Sequence, residues 1–521
     1  MVSSHLVEAL TSPTDALIEL YNSQDPQTLN DFPTVVTEYF SNIFKNEDAF
    51  CEIPSLDLQR PPESHRDRSL VRFRAMIQDT SPSSEMYLSK LPSGKCGGWG
   101  LHTMEDINAK IDYSDLRDCA VVWAVSVPGE SQWVREALDG EASDKVISHE
   151  PIQPHKYPLA DERHIGVQLK FYTNLGNDAP KMNGILTFVG ILTNESLHTE
   201  SDISLDVPTL HVLFTRPYDF HVLPSLGSCA FSPEEVQKEL VSWIAEEALG
   251  GDLDAAEWVL LTIIARVRSR TRSLNPPSLT LSHFPSPSRS SDSSTPTLCI
   301  ILSLLLPTFV VLPLSLDLLN NVPFVPESTQ EDLCSGPLQL SSGTTVLITE
   351  SGVREGKLVE RGVLNIMAVQ DVMTSQSLSY KFPFSHFSFP TDIQFIVLSE
   401  GKKSAFLKTD ITVPFEASRN SNLYKRKSMI TLPPPEKLAA FRRLVLSAKT
   451  GKIEVGETTS ERIQEDFVQE RKTNKTLSSD DLKLSITTAR LMGLTLLEKE
   501  LTIQTWERSN ALEERRKARL D

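Results

Sequence analysis

Between Leu298 and Leu316 the chain runs nineteen residues without a charged side chain. A stretch that apolar has two destinations, the hydrocarbon of a bilayer or the core of a large fold, and roughly 20 such residues span a membrane. Pro307 and Pro313 decide against the first. A proline inside a helix removes a hydrogen bond and clashes with the preceding turn, and no basic flank stands on either side to anchor a span. The segment predicts a short buried helix ending near Pro307, then a buried strand over 309–316. A chain of 521 residues exceeds one core, and about three domains is the expectation.

Charge narrows the partners. The formal net charge is −18, and duplex nucleic acid is itself a dense polyanion, so the balance favours protein partners. Cys51, Cys96, Cys119, Cys229, Cys299 and Cys334 are scattered with no CxxC pair. They read as reduced, mostly buried thiols and as neither a disulfide framework nor a zinc site. Glu8 and Asp15 near the amino terminus, with no basic start before an apolar run, predict no secretory signal.

Along the chain, Leu6, Leu10, Leu17 and Leu20 keep helical spacing, and a further helix is expected over 35–44. PPESHRDR (61–68) is a turn-rich hinge, after which the period becomes two: Leu70, Arg72, Arg74 and Met76 alternate with Val71, Phe73, Ala75 and Ile77. Strands follow over 119–127, 166–172, 184–192 and 209–214 with no long helix among them, which suggests a small antiparallel barrel of the OB type. Ser232-Pro233-Glu234-Glu235 starts a helix that Gly250-Gly251 stops; Asp252 or Asp254 caps the next, over 255–267. Strands are expected over 278–282, 345–349 and 392–398. Helices are expected over 436–448, 461–471, 480–497 and 503–520, with a capping box at Ser478 and Asp481.

Enzyme signatures are missing: there is no GxSxG, HExxH or GxGxxG, and the histidines do not cluster at ligand spacing. No catalytic, cofactor-binding or metal-ligating residue is assigned, and the chain reads as no enzyme. The order of elements after residue 278 is that of a P-loop ATPase module, in which glycines let backbone N–H groups approach the phosphates and a lysine reaches the terminal ones. Here the loop 283–296 holds neither glycine nor lysine, and the strand Val346-Leu347-Ile348 ends in Thr349-Glu350 where an Asp-Glu pair would hold Mg²⁺. The basic runs are Arg266, Arg268, Arg270 and Arg272, then Lys425–Lys427 and Arg515–Arg519. They read as dipole complements and solvated faces, or as a nuclear import signal.

These residues resemble the minichromosome maintenance (MCM) complex-binding proteins. The resemblance is carried by VRFRAMIQD (71–79), VPGESQWVREA (127–137), GILTFVGIL (184–192), LGGDLDAAEWVLL (249–261), GVLNIM (362–367), FPTDIQFIVLSEG (389–401) and the tail 480–519 with Ala489-Arg490-Leu491 and Trp506. It implies a nuclear protein that associates with MCM helicase subunits, replaces one of them in an alternative complex, and helps assemble, protect or unload the ring during DNA replication. Loss would disturb sister-chromatid cohesion. It also implies a degenerate MCM-like architecture; Ala489-Arg490 stands where an ATPase lid would place a phosphate-sensing arginine, but without a cradle it reads as a packing residue or a surface ion pair. An acidic insert that some relatives carry between barrel strands is short here, about 140–163.

The expected organisation is α+β and multidomain: an N-terminal helical region (1–60), an OB-like β domain (61–228), an inactive AAA+-like α/β domain (229–432) and a C-terminal helical lid (433–521). The expected function is a non-catalytic adaptor of the MCM complex, without cofactor, membrane or nucleotide, and with only indirect chromatin association. The competing reading is a single-stranded nucleic-acid binder that stacks bases on Phe73, Phe171, Tyr172 or Phe188 of the barrel.

Overall fold

A period of two sends alternate side chains to opposite faces of a strand, and over residues 70–77 both faces are covered. The computed structural model describes residues 4–24, 31–101, 112–139, 149–160, 162–173, 181–198, 204–217, 232–271, 274–287, 291–329, 332–353, 355–417, 421–473, 475 and 478–520. The first sheet comprises β1 (Ser69–Asp79), β2 (Glu85–Leu88), β3 (Leu116–Ser126), β4 (Gly166–Phe171), β5 (Ile185–His198) and β6 (Ser204–Pro217). Its order is β1-β5-β6-β4-β3-β2, and β1 also pairs with β3, so five strands close into a ring. The ring is not antiparallel throughout, as the sequence suggested. β4 and β6 run parallel because β5 lies between them in the chain and serves as their crossover. A bulge falls at Val189/Gly190, where any Cβ would stand 2.3 Å from the His211 carbonyl oxygen.

Val71, Phe73, Ala75 and Ile77 pack inside the ring with Phe188, Leu210 and Val212. Leu70, Val189, Ile191, Leu213 and Phe214 face outward. Against them lie α1 (Ser4–Thr11), α2 (Pro13–Asn22), α3 (Phe32–Ile43) and α4 (Glu47–Cys51), whose Leu6, Leu10, Leu17 and Leu20 join the same cluster. One short helix in this part, α5 (Gln132–Asp139), was not expected.

The carboxyl-terminal part opens with α6 (Pro233–Ala248), where the Ser232 hydroxyl accepts the Glu235 N–H, and α7 (Leu253–Ile264), where Asp252 accepts from Ala255. It continues through β7 (Leu279–Ser282), α8 (Thr297–Leu305), β8 (Phe309–Pro313), α9 (Leu316–Asn321), β9 (Glu327–Thr329), β10 (Asp332–Cys334) and β11 (Thr345–Thr349). Next come α10 (Glu360–Ser375), β12 (Ser377–Phe382), β13 (Ser385–Pro390), β14 (Gln394–Leu398) and β15 (Ile411–Pro414). The last elements are α11 (Pro435–Thr450), β16 (Glu454–Val455), α12 (Glu457–Thr473), α13 (Ser479–Thr495), β17 (Glu500–Leu501) and α14 (Ile503–Leu520).

Five of these strands form a wholly parallel sheet in the order β15-β7-β14-β11-β8, and β9, β10, β12 and β13 form a smaller one. Strands covered on both faces read as continuous apolar runs, which accounts for Phe309–Leu312. The apolar stretch is indeed a helix and a strand. The strand stops at Pro313, short of the expected 316, and Ser315 caps α9 instead, its hydroxyl accepting from Leu318. Among the described residues no helix is long and apolar enough to cross a membrane. α7 ends at Ile264, three residues before the expected position, so the arginines from 266 onward lie beyond it. Ser478 and Asp481 make both bonds of the capping box. One apolar cluster joins α6, α7, α8 and the parallel sheet to α11, α13 and α14.

The ring sheet is fastened to the parallel sheet by VPGESQW. Gly129 (φ +66°) accepts the Phe309 N–H at 2.8 Å. Ser131 N–H reaches the Pro307 carbonyl at 2.8 Å, while Ser131 Oγ and Trp133 Nε1 both donate to the Leu306 carbonyl. Arg442 of α11 covers the Trp133 ring at 4.4 Å from its centroid. A second contact is polar and buried: Lys156 Nζ meets Asp79 at 2.8 Å and Asp332 at 2.5 Å, and Gln339 donates to the Gln78 carbonyl at 2.6 Å.

Candidate interaction surface

The start of the loop that leaves β7, residues 283–285, is packed against the chain's own residues. His283 takes φ +58° and its N–H binds the Gly401 carbonyl, while Phe284 N–H binds the Ser399 carbonyl. The Phe284 ring packs on Phe415 at 5.1 Å and Tyr424 at 6.3 Å, and the Tyr424 hydroxyl donates to the Pro285 carbonyl at 2.7 Å. Burial pushes that phenol well above its ordinary range. The first N–H of α8, at Thr297, donates to the Leu423 carbonyl at 2.8 Å. Glu350, at the end of β11, is 8% exposed; it accepts from the Ser404 hydroxyl and from Ala405 N–H at 3.2 Å. Residues 288–290 of the loop lie outside the described set.

Arg490 is not near this loop. Its Nη2 donates to the Ile453 carbonyl at 3.0 Å, and it borders a cleft beside Pro276 and Pro277, which precede β7, whereas the loop leaves the strand's other end. The basic runs are engaged with the fold. Lys425 pairs with Glu247. Arg515 pairs with Asp254, and Arg519 holds both Asp252 and Asp254, at 2.8 and 2.9 Å. The tail thus closes over the start of α7, and Arg270 donates to the carbonyls of Gln376 and Thr391. Arg272 lies outside the described residues, as does Cys229; of the other cysteines, Cys96, Cys119 and Cys299 are buried.

The aromatic side chains that base stacking would need are core. Phe73, Phe171, Tyr172 and Phe188 are each at most 8% exposed. The outward face of the ring carries a largely buried ionisable network. The Tyr172 hydroxyl and His211 Nδ1 lie 2.6 Å apart, and Glu195 lies 3.1 Å from His211 and 2.5 Å from Lys170. Burial alone would raise the Glu195 carboxyl, but the bond and charge of His211 and the charge of Lys170 hold it at about 2. Every member is occupied by another member, which is how a polar cluster rigidifies a sheet. Among the described residues no group of three or more His, Cys, Asp or Glu side chains is placed to hold a metal.

Large apolar side chains gather in the open elsewhere. α10 buries Asn365, Val369, Val372 and Met373 but exposes Val363 (47%), Leu364 (45%) and Met367 (55%), and Val359 just before it is 47% exposed. Asn365 fixes the buried side, donating to the Leu319 and Val322 carbonyls and accepting the Phe324 N–H. Next along the chain, the β12–β13 hairpin holds Phe384 fully exposed and Phe387 at 54%. Glu327 pairs with both Arg361 of α10 and Lys381 of β12, at 3.3 Å each, and so ties helix to hairpin. Val359, Val363, Leu364 and Met367 make an exposed apolar stripe along the start of α10, a surface of the kind that protein partners cover. The sequence reading used GVLNIM (362–367) for the family resemblance but not as an exposed surface, although α10 carries apolar residues around more of its circumference than one buried stripe uses.

Comparison with known proteins covers nearly the full chain. The sequence model of the family described as Mini-chromosome maintenance replisome factor matches residues 40–155 and 141–520. A protein of Arabidopsis thaliana named Mini-chromosome maintenance complex-binding protein is 25% identical, covering 98% of this chain and 99% of its own length. Proteins of the same name from Danio rerio and Homo sapiens are 26% and 24% identical, with 93% and 94% of each chain covered. The packed loop, the exposed patch of α10 and the clamp built by VPGESQW therefore belong to a member of the Mini-chromosome maintenance replisome factor family.

Proposed function

We propose that this chain is a non-catalytic nuclear adaptor that binds MCM helicase subunits, helps assemble, protect or unload the MCM complex in DNA replication, and thereby supports sister-chromatid cohesion. The observation that carries this reading is kinship over nearly the full length with proteins named for binding that complex. Two features of the molecule support it. The loop after β7 has neither glycine nor lysine, and at its start Phe284 packs on Tyr424, which supports reading it as a loop without a phosphate cradle. The exposed stripe of α10 supplies an apolar surface of the kind protein partners cover. Numbered along the chain, the parallel sheet runs fifth, first, fourth, third, second. This reading takes that sheet as a P-loop ATPase core that has kept its frame and lost its chemistry, with the ring sheet as its OB-type companion.

The test is recovery of MCM subunits with the tagged chain from nuclease-treated extract. Recovery of none sinks the assignment. Leu364→Asp combined with Met367→Asp should abolish recovery while leaving the melting temperature unchanged, since both side chains already face solvent. Undiminished recovery by that variant would remove the patch from the mechanism and leave the partner assignment standing.

A further inference from the structure

The arginines past α7 are more than a solvated face. In extended backbone, residues two apart lie on one side, and Arg266 and Arg268 line a cleft of about 440 Å³ together with Lys452 and Arg490. Its apolar walls include Leu274, Pro276, Ile453 and Leu491. Of each guanidinium's five donors, the bonds among described residues use one: Arg266 Nε to Asp392 at 2.8 Å, Arg268 Nη1 to the Gly451 carbonyl at 2.6 Å, and Arg490 Nη2 to the Ile453 carbonyl. Among the described residues, no carboxylate pairs with Arg268, Arg490 or Lys452. The acidic residue on the lining is Glu454, and Asp392 lies behind Arg266, where it also neighbours Lys449. Four cations on the lining against one carboxylate give the cleft a surplus of positive charge.

From this arrangement we infer that the cleft is a binding site for a compact phosphomonoester carried on an apolar body. A phosphomonoester carries about −1.5 to −2 charges at neutral pH, opposite in sign to the surplus. Planar guanidiniums recognise phosphate oxygens bidentately, with more geometric specificity than an ammonium. The volume falls within the roughly 300–1,000 Å³ of small-ligand sites. Burial first, and then the neighbouring charges of Arg266 and Arg490, lower the Arg268 pKa; the like charges are close enough to repel, and a bound dianion relieves that cost. Binding here does not rest on the proposed partner surface, although Asn275 on the cleft lining donates to the Thr374 carbonyl near the end of α10. The same chemistry could arrive as a free phosphorylated metabolite or as a phosphorylated side chain of a protein.

Calorimetric titration of the full chain in low salt at pH 7.5 tests the assignment, with phenyl phosphate as the first probe and phenyl sulfate, a monoanion of the same shape, as its control. Phenyl phosphate should bind at one molecule per chain and about tenfold more tightly than the sulfate, as expected for a site that reads the second charge. Arg268→Gln combined with Arg490→Gln should abolish binding. Lys452→Gln removes a charge without removing any hydrogen bond of the described fold; it should weaken binding several-fold with an unchanged melting temperature. A phosphoserine pentapeptide forms the second arm, and whichever probe binds more tightly names the source. The site is overturned if neither phosphorylated probe binds, if phosphate and sulfate bind alike, or if folded Lys452→Gln binds as the wild type does.

Discussion

Lys449 of α11 offers the sharpest test of how the core handles charge. It is 5% exposed, and its Nζ donates to the Gly343 carbonyl at 2.6 Å and to Gln394 Oε1 at 3.0 Å. Burial depresses its pKa to about 7; the nearby charge of Asp392 raises it again, and that of Arg266 lowers it. In the unfolded chain the amine titrates near its ordinary value of about 10.4. Between these two values the unfolded state holds a proton that the folded state has released, so stability rises with pH across that window. Each full proton of difference is worth about 1.4 kcal/mol per pH unit. Because the folded value lies inside the interval, raising the pH from 6.5 to 8.5 should add about 2 kcal/mol to the wild type. Lys449→Met lacks the titration and, by stranding the Gly343 carbonyl, sacrifices about 1–3 kcal/mol at any pH. Urea unfolding of both proteins at pH 6.5, 7.5 and 8.5, followed by tryptophan fluorescence, isolates the effect as their difference, which cancels every other titrating group. A difference constant to within about 0.5 kcal/mol would refute the reasoning, because it would mean that the amine keeps its proton in the folded state.

Three further outcomes follow from geometry already described. Arg519→Ala leaves the Asp252 carboxylate, 1% exposed, with its backbone N–H donors but without its counter-charge, and should destabilise by about 3 kcal/mol in urea melts. Gly129→Ala places a Cβ 2.5 Å from Val310 Cγ2 and 2.7 Å from the Phe309 carbonyl oxygen at φ +66°. It should cost roughly 2–4 kcal/mol and split one unfolding transition into two, as the ring sheet separates from the parallel sheet. Thermal melts with millimolar Mg-ATP should show almost no shift, whereas a working site at 100 times its dissociation constant would add about 2.7 kcal/mol, or roughly 5–10 °C.

Much of the frame was legible because local chemistry wrote it. Ser232 and Ser478 announce helix starts that the structure reproduces with the expected hydrogen bonds. The two prolines divide the apolar run where sterics require, and the alternation in β1 separates inner from outer face as a period of two must. What failed was non-local. Nothing near residues 166–171 reveals that β4 runs parallel to β6, because that follows from the path of β5 between them. Arg490 reads in sequence as a packing or ion-pair residue, but its partner, the Ile453 carbonyl, is set by how α13 docks, a contact across 37 residues. VPGESQW reads as a motif in sequence, but its reason is Leu306, more than 170 residues away. The α10 patch escaped because an exposed apolar residue and a buried one look alike until the packing is known.

The way Arg519 reaches back to Asp252 also orders events on the ribosome. The ring sheet closes with residue 217, whereas the core that begins at Val236 includes Leu512 and is sealed by a side chain at position 519. At about 5–20 residues per second, α6 and α7 wait on the order of 15–55 s before their last neighbours emerge. Throughout that interval Trp258, Leu260 and Ile263 have no complete core to enter, and nascent chains stalled anywhere before α14 present these helices to chaperones.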